Sequence, residues 1–501
     1  MAGSRSLLGC LGEHARVRPD SVALVMGGER VTYGELVSMS LAAHTRIGSL
    51  RLPTGAPVAV HANKSIGTVA LIVACLAGRR PFLLPSTELG AAATDSLLAN
   101  ADCSDVLTVV ADPEHVTGDR VHVIDRTPID GVSIADADEP LDGSPDDIAF
   151  LLTTSGSTGL PKVVPLSFGA VDRFADWAVG RFGIGPGTSV LNYAPFNFDL
   201  CLLDIRATLK VGATTVMVEP ERATNGKYLA ELLRANKVDI VQSVPMMFRL
   251  LADAHRGEPF TSVRHLIMTG DKVPPRLLGE LPALFPNATL YNIYGCTETN
   301  DSFLHEIDVA TDDAAALPIG RPLPGVDAVV VDENDRVLHG PATGELLVST
   351  PFQTTGYLDV NGTAKFVPLD DGPRRYFRSG DLVRRDADGV YTLVGRNDFQ
   401  IKVRGTRVNL AEIEHVLLDH GRVAEAAVVG VPDDLAGVRI YAVVRGSHPP
   451  LDVMALREHC RLRLPRAALP AAYRVVDHAL PMTSTGKVDR KIIIRELLNR
   501  S

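Results

Sequence analysis

The 501-residue chain predicts an α/β protein with a large N-terminal portion and a small α+β C-terminal unit. Three observations carry this expectation. The length exceeds what one core supports, since single cores stop growing at roughly 250–300 residues. Apolar strand-like runs at residues 58–61, 106–110, 148–152, 214–218 and 240–242 alternate with helical stretches, the pattern of largely parallel sheets. From about Gly325 the texture changes to short β-like runs, at 328–331 and 345–348, between Gly, Pro and Asp turns. That change predicts a small β-rich subdomain.

Taken in order, residues 31–36 read as a strand end opening into a helix. The apolar run from Gly67 to Gly78 is too short to span a bilayer and reads as a buried helix. A boundary falls near residues 395–398. Beyond it, Asn409 and Glu412 fit a capping box, and Leu410, Ile413, Val416 and Leu417 keep helical spacing. Strands at 426–431 and 440–444 and a helix over 453–464 complete a compact unit of about a hundred residues. There is no internal repeat and no low-complexity tract.

Hydrophobic residues make up 46% and charged residues 22%, the composition of a soluble globular protein. The formal net charge of -10 disfavours nucleic acid and anionic membranes as partners. The six cysteines (Cys10, Cys75, Cys103, Cys201, Cys296 and Cys460) form no C-x-x-C pair, so neither a zinc site nor a disulfide framework is expected. Scattered thiols, with no signal-peptide layout in the first ten residues, predict a cytoplasmic chain.

The strongest local signal is the run from Leu151 to Lys162, LLTTSGSTGLPK. An apolar strand enters a loop of Gly, Ser and Thr that ends on a lysine. Glycines let backbone N–H groups converge on an anion, hydroxyls add donors, and the ammonium adds positive charge. These are the parts of a phosphate cradle. A Walker A loop is excluded, because that pattern runs G-x-x-x-x-G-K-[ST] into a helix. Here Pro161 intervenes and the strand-like residues 163–165 follow.

Residues 155–162 resemble the signature loop of the adenylate-forming superfamily, which comprises acyl-CoA synthetases, luciferases and nonribosomal-peptide adenylation domains. Five further motifs follow the same family order. Residues 31–36 resemble its first core motif, and residues 292–298, NIYGCTE, resemble N-x-Y-G-x-T-E. Residues 377–382, FRSGDL, resemble Y-R-T-G-D-L, residues 395–407 resemble its hinge motif, and residues 485–490, TGKVDR, resemble N-G-K-x-D-R. The resemblance covers nearly the whole chain. It implies two α/β subdomains plus a small β subdomain over residues 1–396. A mobile α+β domain over 397–501 would follow, hinged near Asp398.

The resemblance also implies roles. Thr153, Thr154, Ser155, Gly156, Ser157, Thr158, Gly159 and Lys162 would cradle the phosphates of ATP. Tyr294, beside Gly295, would stack on adenine, with Asn292 on its edge. Asp381 would accept from the ribose hydroxyls, assisted by Arg396. Thr297 would donate to the α-phosphate. Glu298 would hold Mg²⁺, a hard cation that prefers oxygen ligands. Lys487 would sit between the attacking carboxylate and the α-phosphate, whose like charges repel. The C-terminal domain would rotate between adenylation and thiol transfer, withdrawing Lys487 and bringing the Arg404-Gly405 loop toward the thiol path.

Residues 196–199, FNFD, resemble the F-D-x-S motif of amino-acid adenylation domains, in which the Asp pairs with the substrate α-ammonium. Alignment to that family places Asp199, Leu200, Leu203, Ser243, Ile267, Thr269, Ile293, Asp301 and Ser302 around the acid. Leu200 and Leu203 resemble free-standing prolyl-adenylating enzymes. Ser243, Thr269, Asp301 and Ser302 point instead to polar substrates. Proline, small polar acids and diamino acids all stay open. Cys201, Cys296, Ser379 and Thr485 depart from the commonest family residues without removing a proposed catalytic group. The chain ends eleven residues after Arg490, so the expected acceptor is the phosphopantetheine thiol of a separate carrier protein, in secondary metabolism. A CoA ligase for an acid lacking an α-amine is the competing reading, and Asp199 argues against it.

Overall fold

The structure is a computed structural model. It describes residues 6–498, apart from 112, 114–119, 126, 130–134, 136, 138–142, 155–161, 255–256, 313–315, 359–364, 370–371, 397–399, 434–436, 447–450 and 482–487, and apart from the side chains of 400, 411 and 491.

Two largely parallel sheets form the N-terminal portion. One has six strands in the spatial order Val121–Val123, Val106–Thr108, Val58–Val60, Phe82–Leu83, Ile148–Thr154, Lys162–Ser167, parallel except for the last pair. The other has nine. Its parallel centre runs Thr289–Cys296, His265–Thr269, Ile240–Ser243, Ser189–Asn192, Thr214–Met217, Val22–Met26. Antiparallel strands close both edges: Asn300–Glu306 and Arg321–Pro322 on one side, Glu29–Thr32 on the other. Strands this apolar are buried on both faces, which is why helices cover them.

Local chemistry explains the element ends. Thr32 caps the helix Tyr33–Ser49 in a reciprocal capping box with Glu35. The apolar run becomes the helix Ile66–Ala77, capped by Ser65 and buried along nearly its whole length. The strand expected over 106–110 stops at Thr108, whose side chain accepts from the Val110 backbone N–H and bends the chain into a turn. The helix expected over 453–464 is Val453–Arg461, ending ahead of Pro465.

The β-rich region is an antiparallel sheet in the order Val337–Leu338, Asp327–Val331, Ala342–Ser349, Tyr376–Arg385, Phe366–Val367. The strand Tyr391–Arg396 also pairs with Tyr376–Arg385. The smaller C-terminal domain starts with the hairpin Gln400–Val403 and Thr406–Asn409. It continues with the sheet Val423–Asp433, Gly437–Gly446, Ala472–Val476 and the helices Leu410–Leu418, Val453–Arg461 and Arg490–Leu498. Val408, Ile413, Leu417, Val428, Ala442, Leu456 and Cys460 form a core of its own. Among the described residues no helix is long and apolar enough to cross a membrane.

Candidate active site

In open α/β sheets ligands bind beyond the carboxyl ends of the strands, and the motif residues gather there. Ser243 ends Ile240–Ser243, Thr269 ends His265–Thr269, and Tyr294, Gly295, Thr297 and Glu298 lie at and beyond the end of Thr289–Cys296. The neighbouring strand bulges between Tyr294 and Gly295, so that Tyr294 faces Phe303 while Gly295 faces Asp301. A Cβ on Gly295 would stand 2.3 Å from the Asn300 carbonyl oxygen. Glycine is therefore required where this bulge turns Asp301 toward the cleft. Asn300, opposite Cys296, has φ +57°, and its side-chain oxygen accepts from the Asp301 N–H at 2.7 Å.

Asp381 is buried and doubly held. Arg396 donates to one oxygen and the Tyr294 hydroxyl to the other, while Arg396 also donates to the Ser379 carbonyl at 3.1 Å. Burial, and next the Asp381 charge, push the Tyr294 phenol well up. Asn292 donates to the Pro318 carbonyl at 2.7 Å.

Glu298 is 1% exposed. The Tyr357 hydroxyl donates to its Oε1 at 2.5 Å, and one Arg407 nitrogen bridges both carboxylate oxygens at 3.1 and 3.0 Å. Burial alone would raise this carboxyl. Arg407 and Tyr357 outweigh burial and hold it below its usual range.

Thr297 lies beside Asp199 and stabilises its anion. Burial still prevails, and Asp199 is raised despite the favourable fields of Thr297 and of Lys402 from the C-terminal domain. Asp301 is pushed up to about 8 by burial and by the Asp199 charge, against the pull of Lys402. The two carboxylates thus share one acidic pocket.

Of the other expected pocket residues, Leu203, Ile267 and Ile293 belong to the main hydrophobic core. Leu203 lies in a π-helical turn, Leu202–Ala207, and Leu200 is half-buried just before it. Ser302 is fully buried, and its hydroxyl donates to the Asn300 carbonyl and to Thr299 within the bulge. These bonds help to shape the turn. Ser243 is buried, with no hydrogen-bond partner for its hydroxyl among the described residues.

The glycine-rich loop connects antiparallel neighbours, with Thr154 opposite Lys162. Thr153 and Thr154 end the incoming strand. The Thr154 hydroxyl is buried without a partner among the described residues, and the Lys162 ammonium stands 4.8 Å from the centre of the Tyr357 ring. Ser155, Gly156, Ser157, Thr158 and Gly159 lie outside the described residues, as do Asp398 and Lys487.

Four participants escaped the sequence reading. Arg407 and Lys402 lie in the hinge motif, which was the only signal for them. Tyr357 carried none. Lys64, the fourth, is buried and donates to the Asn192 and Tyr193 carbonyls at 2.9 and 3.0 Å. It ties the six-stranded sheet to the end of a central strand of the nine-stranded one.

The carboxyl-end cleft, the glycine-rich hairpin loop and the held carboxylate Asp381 define a nucleotide-using α/β enzyme of two domains. Residues 11–358 match the family described as AMP-binding enzyme, and residues 412–487 match its C-terminal domain. The chain belongs to this AMP-binding family. It is 33% identical over 495 residues to the L-proline–[L-prolyl-carrier protein] ligase of Streptomyces coelicolor, covering 93% of this chain and 92% of that one. To the D-alanine–D-alanyl carrier protein ligase of Lactiplantibacillus plantarum it is 29% identical, over 98% and 99%. Among solved structures, an amide bond synthetase from Marinactinospora thermotolerans superposes with a TM-score of 0.84 at 25% identity, over 98% and 99%. A Vibrio cholerae adenylation domain superposes at 0.86 with 20% identity, over 100% and 99%, and shows the same fold. The relatives are ligases of the amino acid–carrier protein type.

Proposed function

We propose that this protein uses ATP to convert an α-amino acid into its aminoacyl adenylate and passes the aminoacyl group to the phosphopantetheine thiol of a separate carrier protein. The observation that carries this reading is Asp199. It is a half-buried carboxylate beside Thr297, raised above its usual range by desolvation, where a substrate α-ammonium supplies the charge that desolvation otherwise denies it.

In the first step a substrate carboxylate oxygen bonds to the α-phosphorus and the bond to the pyrophosphate oxygen breaks. Asp199 orients the ammonium end. The Thr154 hydroxyl and the Lys162 ammonium face the phosphates, and Asp381, set by Arg396 and Tyr294, takes the ribose hydroxyls. Lys487 bridges the two reacting anions. Most of the rate enhancement then comes from positioning and fixed charges. In the second step the thiol sulfur bonds to the acyl carbon, AMP leaves and the thiol proton is lost.

Glu298 suits magnesium, being a buried carboxylate kept ionised. Among the described residues no group of three or more His, Cys, Asp or Glu forms a cage, which fits an ion held by one or two carboxylates together with substrate phosphates. When bound, the ion supplies charge neutralisation at those phosphates.

Asp301 narrows the substrate. A second carboxyl beside Asp199 favours an amino acid whose side chain carries an amine or hydroxyl over proline, which offers Asp301 no partner. We place the enzyme in the cytoplasm and in secondary metabolism. Amino-acid-dependent ATP–pyrophosphate exchange tests the reading, with a panel of common amino acids, both alanine enantiomers, diamino acids, aryl acids and fatty acids. Exchange with an amino acid, lost in Lys487→Ala, supports it. Exchange confined to acids without an α-amine, with free CoA as acceptor, replaces it with a CoA ligase.

A further inference from the structure

The chain that carries Asp199 leaves the nine-stranded sheet at Asn192, the last residue of a central strand. Beyond it the backbone runs as a loop, whose polar groups need other partners. Lys64 supplies the first. Its ammonium donates to the Asn192 carbonyl at 2.9 Å and to the Tyr193 carbonyl at 3.0 Å. The next carbonyls are held close by. The Asn192 side-chain amide donates to the Ala194 carbonyl at 3.3 Å, and the Cys201 thiol donates to the Pro195 carbonyl at 3.2 Å. Phe196 is locked in the main core, and the Asp199 carbonyl accepts from the Leu202 N–H at 2.9 Å. A run of ties that starts at Lys64 thus ends at Asp199.

Lys64 itself belongs to the other sheet. It lies between the strand Val58–Val60 and the helix Ile66–Ala77. The Thr68 hydroxyl donates to the Asn63 carbonyl at 2.6 Å, and the Ser65 hydroxyl accepts from the Thr68 N–H at 3.1 Å, so the backbone is fixed on both sides of Lys64. The strands Ile148–Thr154 and Lys162–Ser167, which flank the glycine-rich loop, are in this same sheet. The Lys64 side chain is buried, and its hydrogen-bond partners are two carbonyls in place of a carboxylate. That is a costly way to bury a charge if filling space were its only use.

We propose that Lys64 is a positioning residue, which fixes Asp199 relative to the glycine-rich loop so that an α-ammonium held on Asp199 brings its carboxylate against the α-phosphate. This rests on the reading of Asp199 as the ammonium partner. The phosphates are held by one sheet and the ammonium by the other, and a misplacement of about 1 Å between reacting groups costs on the order of a hundred-fold in rate. An ammonium carries three N–H donors, and two of them on successive carbonyls set both the place and the direction of the departing chain. Without Lys64, the segment from Tyr193 to Asp199 keeps its core anchor at Phe196 but loses its link to the phosphate-side sheet. The loss falls on substrates that carry an α-ammonium and spares the nucleotide.

The test is calorimetry on the full chain with two stable mimics of the adenylate. One is the aminoacyl sulfamoyl adenosine made from the amino acid that gives exchange, and the other is its counterpart without the α-amine. Lys64→Met should bind the first at least about ten-fold more weakly than wild type and the second within about two-fold. Asp199→Asn should show the same selective loss. A merely structural role for Lys64 weakens both mimics alike in Lys64→Met, and that result overturns the proposal. So does a Lys64→Met chain that binds both as wild type does while Asp199→Asn loses the first selectively. If Lys64→Met does not fold, Cys201→Ala, which frees the Pro195 carbonyl, decides instead. A selective loss of about three-fold or more supports the proposal, and unchanged binding overturns it. Wild-type protein that binds both mimics equally overturns the reading of Asp199 together with this one, which keeps the two failures distinct.

Discussion

Tyr294 and Arg396 each hold one oxygen of Asp381, so the protein itself fixes the orientation of the carboxylate to which the proposed function gives the ribose. Preset orientation of this kind lowers the entropy lost on binding. Asp381→Asn removes the charge while keeping the shape, leaving the Arg396 guanidinium and the Tyr294 hydroxyl facing a weaker acceptor. The expected cost is about 1–3 kcal/mol of stability and a raised KM for ATP, with the KM for the amino acid little changed. Urea unfolding and steady-state pyrophosphate exchange check the two parts.

On the proposed reading, binding of a substrate side-chain amine at Asp301 depends on pH. Its pKa in the free protein is raised from 3.8 to about 8, so it is mostly protonated at pH 7. A cationic side chain needs the carboxylate form, and binding it releases the proton. The affinity for a diamino acid therefore rises by about ten-fold per pH unit as pH climbs toward 8, then levels off. Asp301→Asn should flatten this profile and reduce discrimination against substrates with uncharged side chains. Competition binding between pH 6 and pH 9 reads both effects.

Lys64 is 7% exposed, and burial lowers its pKa from 10.5 to about 8, against the pull of Cys201 and Asp204. The unfolded chain therefore binds more protons than the folded one between pH 8 and 10.5, and stability rises with pH across that window. Wild type should gain up to about 3 kcal/mol there relative to Lys64→Met. At neutral pH the substitution removes the desolvation penalty but takes the Lys64 donor from the Tyr193 carbonyl, at about 1–3 kcal/mol if that group is left unpaired, while the Asn192 carbonyl keeps the Val218 N–H at 3.0 Å. Parallel denaturant titrations of the two chains at several pH values check the slope.

Gly295→Ala should be severely destabilising, because the new methyl would meet backbone: the Asn300 carbonyl oxygen at 2.3 Å and the Asp301 Cα at 2.7 Å. Relief requires the bulge to open, which displaces Asp301 and disturbs Glu298. Expected results are a loss of more than about 3 kcal/mol in stability and collapse of exchange activity in whatever fraction folds. Thermal unfolding with activity per folded molecule distinguishes the two effects.

The elements legible in the sequence are those made by short-range chemistry. Thr32 and Glu35 are three residues apart and form a capping box where residues 31–36 were expected to open from a strand end into a helix. The uninterrupted apolar run becomes the helix Ile66–Ala77, and the strand expected after Pro161 is Lys162–Ser167. The chain's place among AMP-binding enzymes was also readable, because its motifs are contiguous strings. The short ends that differ, at Thr108 and Arg461, follow from a hydroxyl turn and a nearby proline acting within a few residues.

The sequence by itself determined the α/β class, the family and the groups available for the chemistry, since periodicity, capping and phosphate-loop composition all act over a handful of residues. Only the tertiary structure decided how those groups are charged and what faces them. Arg407 meets Glu298 across 109 residues, Lys64 meets Asn192 across 128, and Tyr294 meets Asp381 across 87. Burial and ion pairing depend on which distant segments exclude water around a side chain, and no local pattern encodes that.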